Sequence, residues 1–324
     1  MRVIAVRRRW HAGLQRFEIR LKRSMKHTPY DGSHPLFRIG LSPLDPAEWL
    51  EVDDRLEAYL DEKARLRDVY PDRVFAVEAG TEVAQAEALS LILDNLRAHH
   101  GDTHGVGERE VRAGPHAVSL ETGEPPLLTA SKLVQEDLVL MRKGEAGWRL
   151  AAAALCFPSS WSLMEKFGKV IAEVHAPVPG FAAGTRNALL IERIFNQLLV
   201  DQPVRRMNWS VYSDDELFHD DRAAEHLKKR DFDAGIFLRV EYQTLRKLPQ
   251  SGDILFTVRI HVDPFEMLKR DPDLARIGEG FIASLERLDD AQLAYKGLAQ
   301  SRDRLIGEIR QLLDSMPAPE SVGA

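Results

Sequence analysis

The sequence predicts an α+β protein built on antiparallel hairpins with helices set around them. Two strand pairs carry that expectation. In 236–245, Leu238, Val240 and Tyr242 alternate with Arg239, Glu241 and Gln243. In 253–262, Ile254, Phe256, Val258 and Ile260 alternate with Leu255, Thr257, Arg259 and His261. Leu248-Pro249-Gln250-Ser251-Gly252 joins these runs as a hairpin connection. A second pair, 138–141 and 148–157, flanks the turn Arg142-Lys143-Gly144-Glu145-Ala146-Gly147. Strands gathered into hairpins, rather than alternating one by one with helices, argue against a doubly wound parallel sheet.

The remaining elements follow in order. Residues 1–45 read as irregular, with turn signals at Tyr30-Asp31-Gly32-Ser33 and Ser42-Pro43. Asp45 is suited to an N-cap and Pro46 to the first helical position, and Trp49, Val52, Leu56, Tyr59 and Leu60 recur at helical spacing, so a helix is predicted over 46–68. A second runs over 81–98, with Thr81 as cap and Val83, Ala86, Leu89 and Leu93 as its apolar stripe. Helices are expected at 160–175, where Ser160 is the cap, and at 185–200. A short strand is expected at 208–212, a capped helical turn after Ser213-Asp214-Asp215-Glu216, and a charged helical tail over 273–313. The organisation predicted is an irregular and helical region over 1–110, a core over 111–265 and a helical extension over 266–324.

Bulk properties narrow the classes. The chain of 324 residues is 44% hydrophobic and 29% charged, an ordinary globular composition. A net charge of -6 implies no general affinity for nucleic acid. A single cysteine, Cys156, excludes an internal disulfide framework and any Cys-cluster zinc or iron–sulfur site, and fits a reducing cytoplasm. The basic start, 1–10, lacks the apolar core of a secretory signal, and no apolar run approaches the roughly 20 residues of a membrane span. G-x-G-x-x-G, Walker, G-x-S-x-G and H-E-x-x-H signatures are missing.

Several residues could carry chemistry. His99, His100 and His104 with Asp102 have metal-compatible spacing, but a solvated loop is the commoner origin of such a cluster. His219-Asp220-Asp221 with His226 is similar to a phosphohydrolase dyad, a pattern frequent by chance. The segment 155–181 is richer. On a helix over 160–175, Trp161, Met164, Gly168, Ile171 and His175 share one stripe, and Pro177 and Pro179 stop it sharply. Gly168 costs about 1 kcal/mol of helix propensity but lets a flat group approach the backbone. A neutral imidazole on an apolar wall suits a haem iron. A packed histidine at a helix C-terminus is the more frequent reading of such a pattern. Cys156 offers a thiolate ligand, against the commoner role of a small buried hydrophobe. Arg239, Glu241 and Gln243 share a strand face, with Arg259 and His261 expected across from them. They form either a solvent-facing polar ladder or the polar wall of a cavity. Arg206-Met207-Asn208-Trp209 adds a guanidinium, an amide and an indole.

Read together, IGLSPLDPAEWLEVDD (39–54), VQEDLVLM (134–141), LCFPSSWSLMEKFGKVIAEVHAPVPGF (155–181), RMNWSVY (206–212), RVEYQTLRKLPQSGDILFTVRIHV (239–262) and YKG (295–297) resemble the haem-dependent oxidative N-demethylase family, in its haem-binding catalytic subunit. The resemblance covers roughly 36–298. It implies a PAS-like antiparallel sheet binding haem b, with His175 as the iron ligand. It implies oxidative removal of an N-methyl group from a small amine such as dimethylamine, with O2 and with electrons from NADPH through a separate flavin (FMN) and iron–sulfur reductase partner. Arg206 and Arg239 are then candidates to hold the haem propionates, Glu241 to hold the amine or a water, and Trp161 and Gly168 to line the cofactor. The family pattern has an Arg where this chain has Tyr242, which puts substrate choice and oxygen chemistry at that position in question. A haem-binding sensor or carrier without turnover, and a cofactor-free interaction domain, are the alternatives.

Overall fold

The protein is described by a computed structural model over residues 25–159, 161–219 and 232–316. Its strands are β1 (Ser42–Pro43), β2 (Phe75–Val77), β3 (His104–Val106), β4 (Glu110–Ala113), β5 (His116–Ser119), β6 (Asp137–Gly144), β7 (Gly147–Ala154), β8 (Val204–Tyr212), β9 (Phe237–Lys247) and β10 (Ile254–Pro264). Its helices are α1 (Leu56–Val69), α2 (Pro71–Val74), α3 (Glu82–His99), α4 (Pro126–Ser131), α5 (Leu163–Lys166), α6 (Ile171–Val174), α7 (Arg186–Gln197), α8 (Leu274–Glu286), α9 (Asp290–Lys296) and α10 (Arg302–Asp314). Seven strands form an antiparallel sheet in the order β1-β8-β9-β10-β6-β7-β2, and β3-β4-β5 form a small second sheet. The α+β expectation and both hairpins are met. β9 and β10 pair with Tyr242 opposite Arg259 and Glu241 opposite Ile260.

Side chains alternate across a sheet, so each strand feeds two different layers. Val139 and Met141 of β6 point with Leu150, Leu245 and Ile254 into one apolar cluster. Leu138 and Leu140 point with Ala152, Tyr242 and Leu255 into another, which α3 covers through Ala84, Ala88 and Ile92. Both faces are covered, which is why 138–141 reads as an unbroken apolar run. The helical tail folds onto the ends of β8 and β9. There α8 buries Leu274, Ile277, Phe281 and Leu285, and α10 buries Leu305, Ile306, Ile309 and Leu312. Gly280 of α8 lies against the backbone of Asp31, where any Cβ would overlap the peptide, so the segment before β1 is seated directly on this helix.

Three predicted elements take a different form. The helix expected over 46–68 is a 3-10 turn, Pro46–Glu48, capped by Asp45 through the Ala47 amide, then an extended stretch before α1. The stretch is extended because the Glu51 amide donates to Glu136 (2.8 Å) and the Asp53 amide to Gln135 (3.0 Å), tying it to another part of the chain. The helix expected over 160–175 is two single turns, α5 and α6. Between them Gly168 adopts φ 75° and donates its amide to Leu150 of β7 at 2.9 Å, while Leu150 donates to Lys169 at 3.1 Å. Pairing with β7 outcompetes helix continuation here, and Gly168 supplies the left-handed turn. Residues 213–219 form bends rather than a helical turn. Ser160, the expected cap, and Asp220, Asp221 and His226 lie outside the described residues.

Past the end of β7 the chain is held by a buried carboxylate. Asp137 accepts the amides of Cys156 (2.9 Å) and Phe157 (2.7 Å). Lys63 of α1, fully buried, donates to the Val134 carbonyl at 3.1 Å and to that of Glu136, with its Nζ 3.8 Å from Asp137. Burial pushes the Lys63 ammonium down and the Asp137 carboxyl up from their ordinary values, so directed hydrogen bonds carry more of this arrangement than charge does. Asp137→Ala strands two buried amides, and we expect a loss of about 3–5 kcal/mol in urea unfolding at unchanged m-value. A loss under about 1 kcal/mol would show that these bonds are replaced by others.

Candidate functional site

A cavity of about 350 Å³ lies between the sheet and α5, α6 and α7. That volume falls within the roughly 300–1,000 Å³ of pockets for small molecules and cofactors. The sheet floor comes from β6, β8, β9 and β10. The roof comes from α5 to α7, and the sides from Phe37, Ile39 and Leu41 before β1 and from Tyr295 and Lys296 of α9. Most of the lining is aliphatic or aromatic, with a polar group concentrated on β8 and β9.

His175 caps the end of α6 and lines this cavity. Its Nδ1 lies 3.0 Å from the carbonyl of Ile171, one turn back. A carbonyl only accepts, so Nδ1 carries the proton and Nε2 keeps its lone pair. Burial holds the imidazole below its ordinary pKa, assisted by the charge of Arg206 and opposed by the Ile171 carbonyl, so it is neutral. Its ring stands 6.1 Å from that of Phe181. Trp161 lines the same cavity, whereas Gly168 is exposed in the α5–α6 turn, away from it. Met164, expected on the stripe with His175, is 54% exposed.

Across the floor, β9 presents Glu241 and Gln243, and β8 presents Arg206 and Asn208. Glu241 accepts from Ser159 Oγ, from Asn208 Nδ2 at 3.3 Å and from Gln243 Nε2 at 2.7 Å. Burial alone would raise its pKa. The Ser159 hydrogen bond and the charges of Lys296 and Arg239 outweigh burial and hold the carboxyl below the usual range, so it is ionised. Arg206 donates to Gln243 Oε1 at 3.0 Å and to the Arg38 carbonyl at 3.3 Å, while its Nε is buried with no partner. Burial lowers the Arg206 pKa against the opposing pull of Glu241, the signature of a cation short of anionic neighbours. In the sequence Lys296, Ser159 and Asn208 stand out only as members of longer motifs. Lys296 ends α9 just before Gly297, whose φ of 67° turns the chain, but nothing in the local pattern shows that this lysine points inward.

Besides Gly168, two residues expected at the site are elsewhere. Arg239 shares the face of Glu241 but is committed, donating to the carbonyls of Phe157 (2.9 Å), Leu217 and Glu216 and stacking on Tyr212. It fixes the 155–159 segment rather than lining the cavity. Tyr242 follows Glu241 in the strand and therefore points through the other face, where its hydroxyl donates to the Glu48 carbonyl at 2.8 Å. Arg259 and His261 lie on that same far face, not across from Glu241. The His99–His104 loop also lies apart, with His104 bound to the Leu133 carbonyl and Thr103. Cys156 is buried and its thiol is pushed up to about 12 by burial and by Asp137, which removes it as a thiolate.

The far face carries a second polar group. His27 and His261 both meet the Glu51 carboxylate, at 2.8 and 2.7 Å, and the three side chains have the composition of a metal site. Arg55 argues for a hydrogen-bonded network instead. Its guanidinium approaches His261 Nδ1 at 3.4 Å, so that nitrogen is an acceptor and Nε2 carries the proton it gives to Glu51. A metal on Nε2 would place an N–H at Nδ1 against a guanidinium. Lys26 also pairs with Glu51 at 2.9 Å, and His27 stacks on Tyr242 with ring centroids 5.2 Å apart.

Fold and site define an α+β protein built around a largely apolar chamber that carries a neutral imidazole, an ionised carboxylate and an incompletely paired guanidinium. Among the described residues no helix is long and apolar enough to cross a membrane. Residues 40–306 match the family described as haem-dependent oxidative N-demethylase, alpha subunit-like. The chain belongs to that family.

The far-face network sets a pH dependence of stability. Burial would raise the Glu51 pKa, but its hydrogen bonds to His261 and His27 hold it below the ordinary value. Burial and Arg259 hold His261 below its own. In both cases the unfolded chain binds protons that the folded chain does not, so stability rises with pH. We expect stability to fall as the pH drops below about 6.5, and more steeply below about 4.3, the unfolded values of His and Glu. Urea titrations from pH 8 to 4 measure this, and Glu51→Gln flattens the acid limb.

Proposed function

We propose that this chain is a haem-dependent oxidative N-demethylase, holding haem b in the chamber and acting on a small methylated amine of the dimethylamine kind. The observation that carries the reading is His175: a neutral imidazole with Nδ1 fixed on the Ile171 carbonyl and Nε2 left to ligate, on the wall of an apolar chamber. The buried, unpartnered Nε of Arg206 fits the same group, since haem brings carboxylates and a guanidinium short of an anion would bind one. The strand order supports the PAS-like reading. Numbered along the chain, the five central strands β6, β7, β8, β9 and β10 run 2-1-5-4-3, and the chamber helices α5 to α7 all lie between the second and third.

When bound, haem supplies the activation of O2 and the oxidation of the N-methyl carbon. Overall, the methylated amine, O2, two electrons and two protons give the demethylated amine, formaldehyde and water. The chain's own residues bind and orient. Glu241, ionised on the floor, attracts the cationic form of the amine and takes one of its N–H protons in a hydrogen bond. Phe157, Trp161 and Phe181 exclude water from the chamber. Arg239 and Asp137 hold the Phe157 peptide from its two sides, which fixes Ser159 against Glu241. The electrons come from a separate reductase using NADPH, FMN and an iron–sulfur cluster, because one buried cysteine cannot build such a cluster here. Tyr242, facing away from the chamber, is not assigned a part in the chemistry.

Reconstitution with haem tests the reading. We expect a Soret band in the wild type, its loss in His175→Gly and its return with added imidazole. Arg206→Leu should weaken haem retention by on the order of tenfold, and Glu241→Gln should raise the amine KM by a similar factor with the Soret band unchanged. Formaldehyde release with a surrogate reductase then reads turnover. A Soret band unchanged in His175→Gly removes the proposed ligand, and bound haem without formaldehyde from any methylamine leaves a sensor or carrier.

A further inference from the structure

We propose that Lys296 is a positioning residue of this chamber: from α9, through the side chain of Asn208, it aims the carboxylate of Glu241 at the bound amine. The proposal rests on the preceding reading for the identity of the amine, but not for the geometry. Lys296 is 5% exposed, and its Nζ donates to Asn208 Oδ1 (3.2 Å), the Trp209 carbonyl (2.8 Å) and Ser210 Oγ (3.3 Å). An ammonium can only donate, so Asn208 must turn its oxygen to Lys296 and its NH2 to Glu241, 3.3 Å away. Without Lys296 that amide could flip, placing its oxygen against the carboxylate. With Ser159 and Gln243 the same contact leaves Glu241, which lines the chamber, about one free acceptor direction of the roughly four a carboxylate has.

Lys296 also supplies charge. The ionisable groups felt at Glu241 are Lys296 from α9, Arg239 from its own strand, Arg206 from β8 and the Tyr295 phenol. Arg239 is committed to the Phe157 and Leu217 carbonyls, and Arg206 reaches Gln243 and Arg38. Arg206 orients the Gln243 amide against Glu241 in the same way, and of these three cations Lys296 is the one that orients the Asn208 amide. Removing the Lys296 charge should raise the pH at which Glu241 takes up a proton, and a protonated Glu241 no longer attracts a cation.

The test is the ionisation of Glu241 in the haem-free chain, read as its carboxyl band in isotope-edited infrared spectra and assigned with Glu241→Gln. In Lys296→Met the band of the protonated acid should appear at higher pH than in the wild type, and in Lys296→Arg it should stay near the wild-type position. If Lys296→Met does not fold, Lys296→Gln serves, since it keeps a donor and drops the charge. Calorimetry with dimethylammonium chloride at pH 7 should show affinity lower by on the order of tenfold in the uncharged variant and recovery as the pH is raised. A Glu241 band that titrates at the wild-type pH in an uncharged variant overturns the proposal. Wild-type protein that binds no dimethylammonium, with the infrared shift intact, overturns the substrate reading and leaves the positioning role standing.

Discussion

The arrangement of the chamber depends on one buried carboxylate. Asp137, at the first position of β6, takes both amides of Cys156 and Phe157 just where the chain leaves β7. Buried amides need partners, and here the sheet ladder has ended, so a side chain substitutes for a strand. This fixes a Pro-containing segment with no secondary structure of its own. From that segment the Phe157 carbonyl accepts from Arg239 and the Ser159 hydroxyl donates to Glu241. A loop over a sheet would ordinarily be among the most mobile parts of a fold. Held at both ends, it becomes a rigid wall from which a reacting group can be positioned.

The two faces of the sheet divide the polar residues into separate tasks. β9 and β10 place Glu241 and Gln243 towards the chamber and Tyr242, Arg259 and His261 away from it, and a one-residue slip in register would exchange the two sets. The far-face network of Glu51, His27 and His261 therefore does more than bind the N-terminal stretch. Arg259 donates to the Glu51 carbonyl at 3.1 Å and Arg55 to that of Val262 at the same distance, so the register of β10 is marked by charges that fit in only one alignment.

Much of this was legible in the sequence, for identifiable reasons. Alternation in 236–245 and 253–262 gave the hairpin and the shared face of Glu241 and Gln243, because strand period is a local property. His175 before Pro177 stands out in the sequence as a candidate iron ligand on a continuous helix; the structure puts it on the cavity wall, but at the end of a single helical turn. Gly168 read as room for a flat group, whereas it serves the backbone turn that lets 167–170 pair with β7, a contact that depends on residues 18 positions earlier. Tyr242 enters the candidate site only through the Arg that the family pattern has at that position, although the strand alternation already sets it on the face opposite Glu241, where its hydroxyl meets the Glu48 carbonyl. Arg239 was read as free to bind, since a sequence shows a guanidinium's charge but not the carbonyls that occupy it. Lys296 stayed hidden because its partners lie about 90 residues upstream, on β8.

The walls of the chamber are drawn from Phe37 at one end of the chain to Lys296 near the other. During synthesis the sheet floor and the helices over it emerge well before α9 does. A nascent chain lacking α9 therefore exposes the apolar interior to the solvent, since neither the side wall nor the Lys296 contacts on β8 yet exist. Chains of this size commonly fold through populated intermediates, and apolar surface exposed in them favours aggregation or chaperone capture. Closure of the chamber on the α9 side therefore waits for a segment that begins at Asp290, well past the last floor strand, which ends at Pro264.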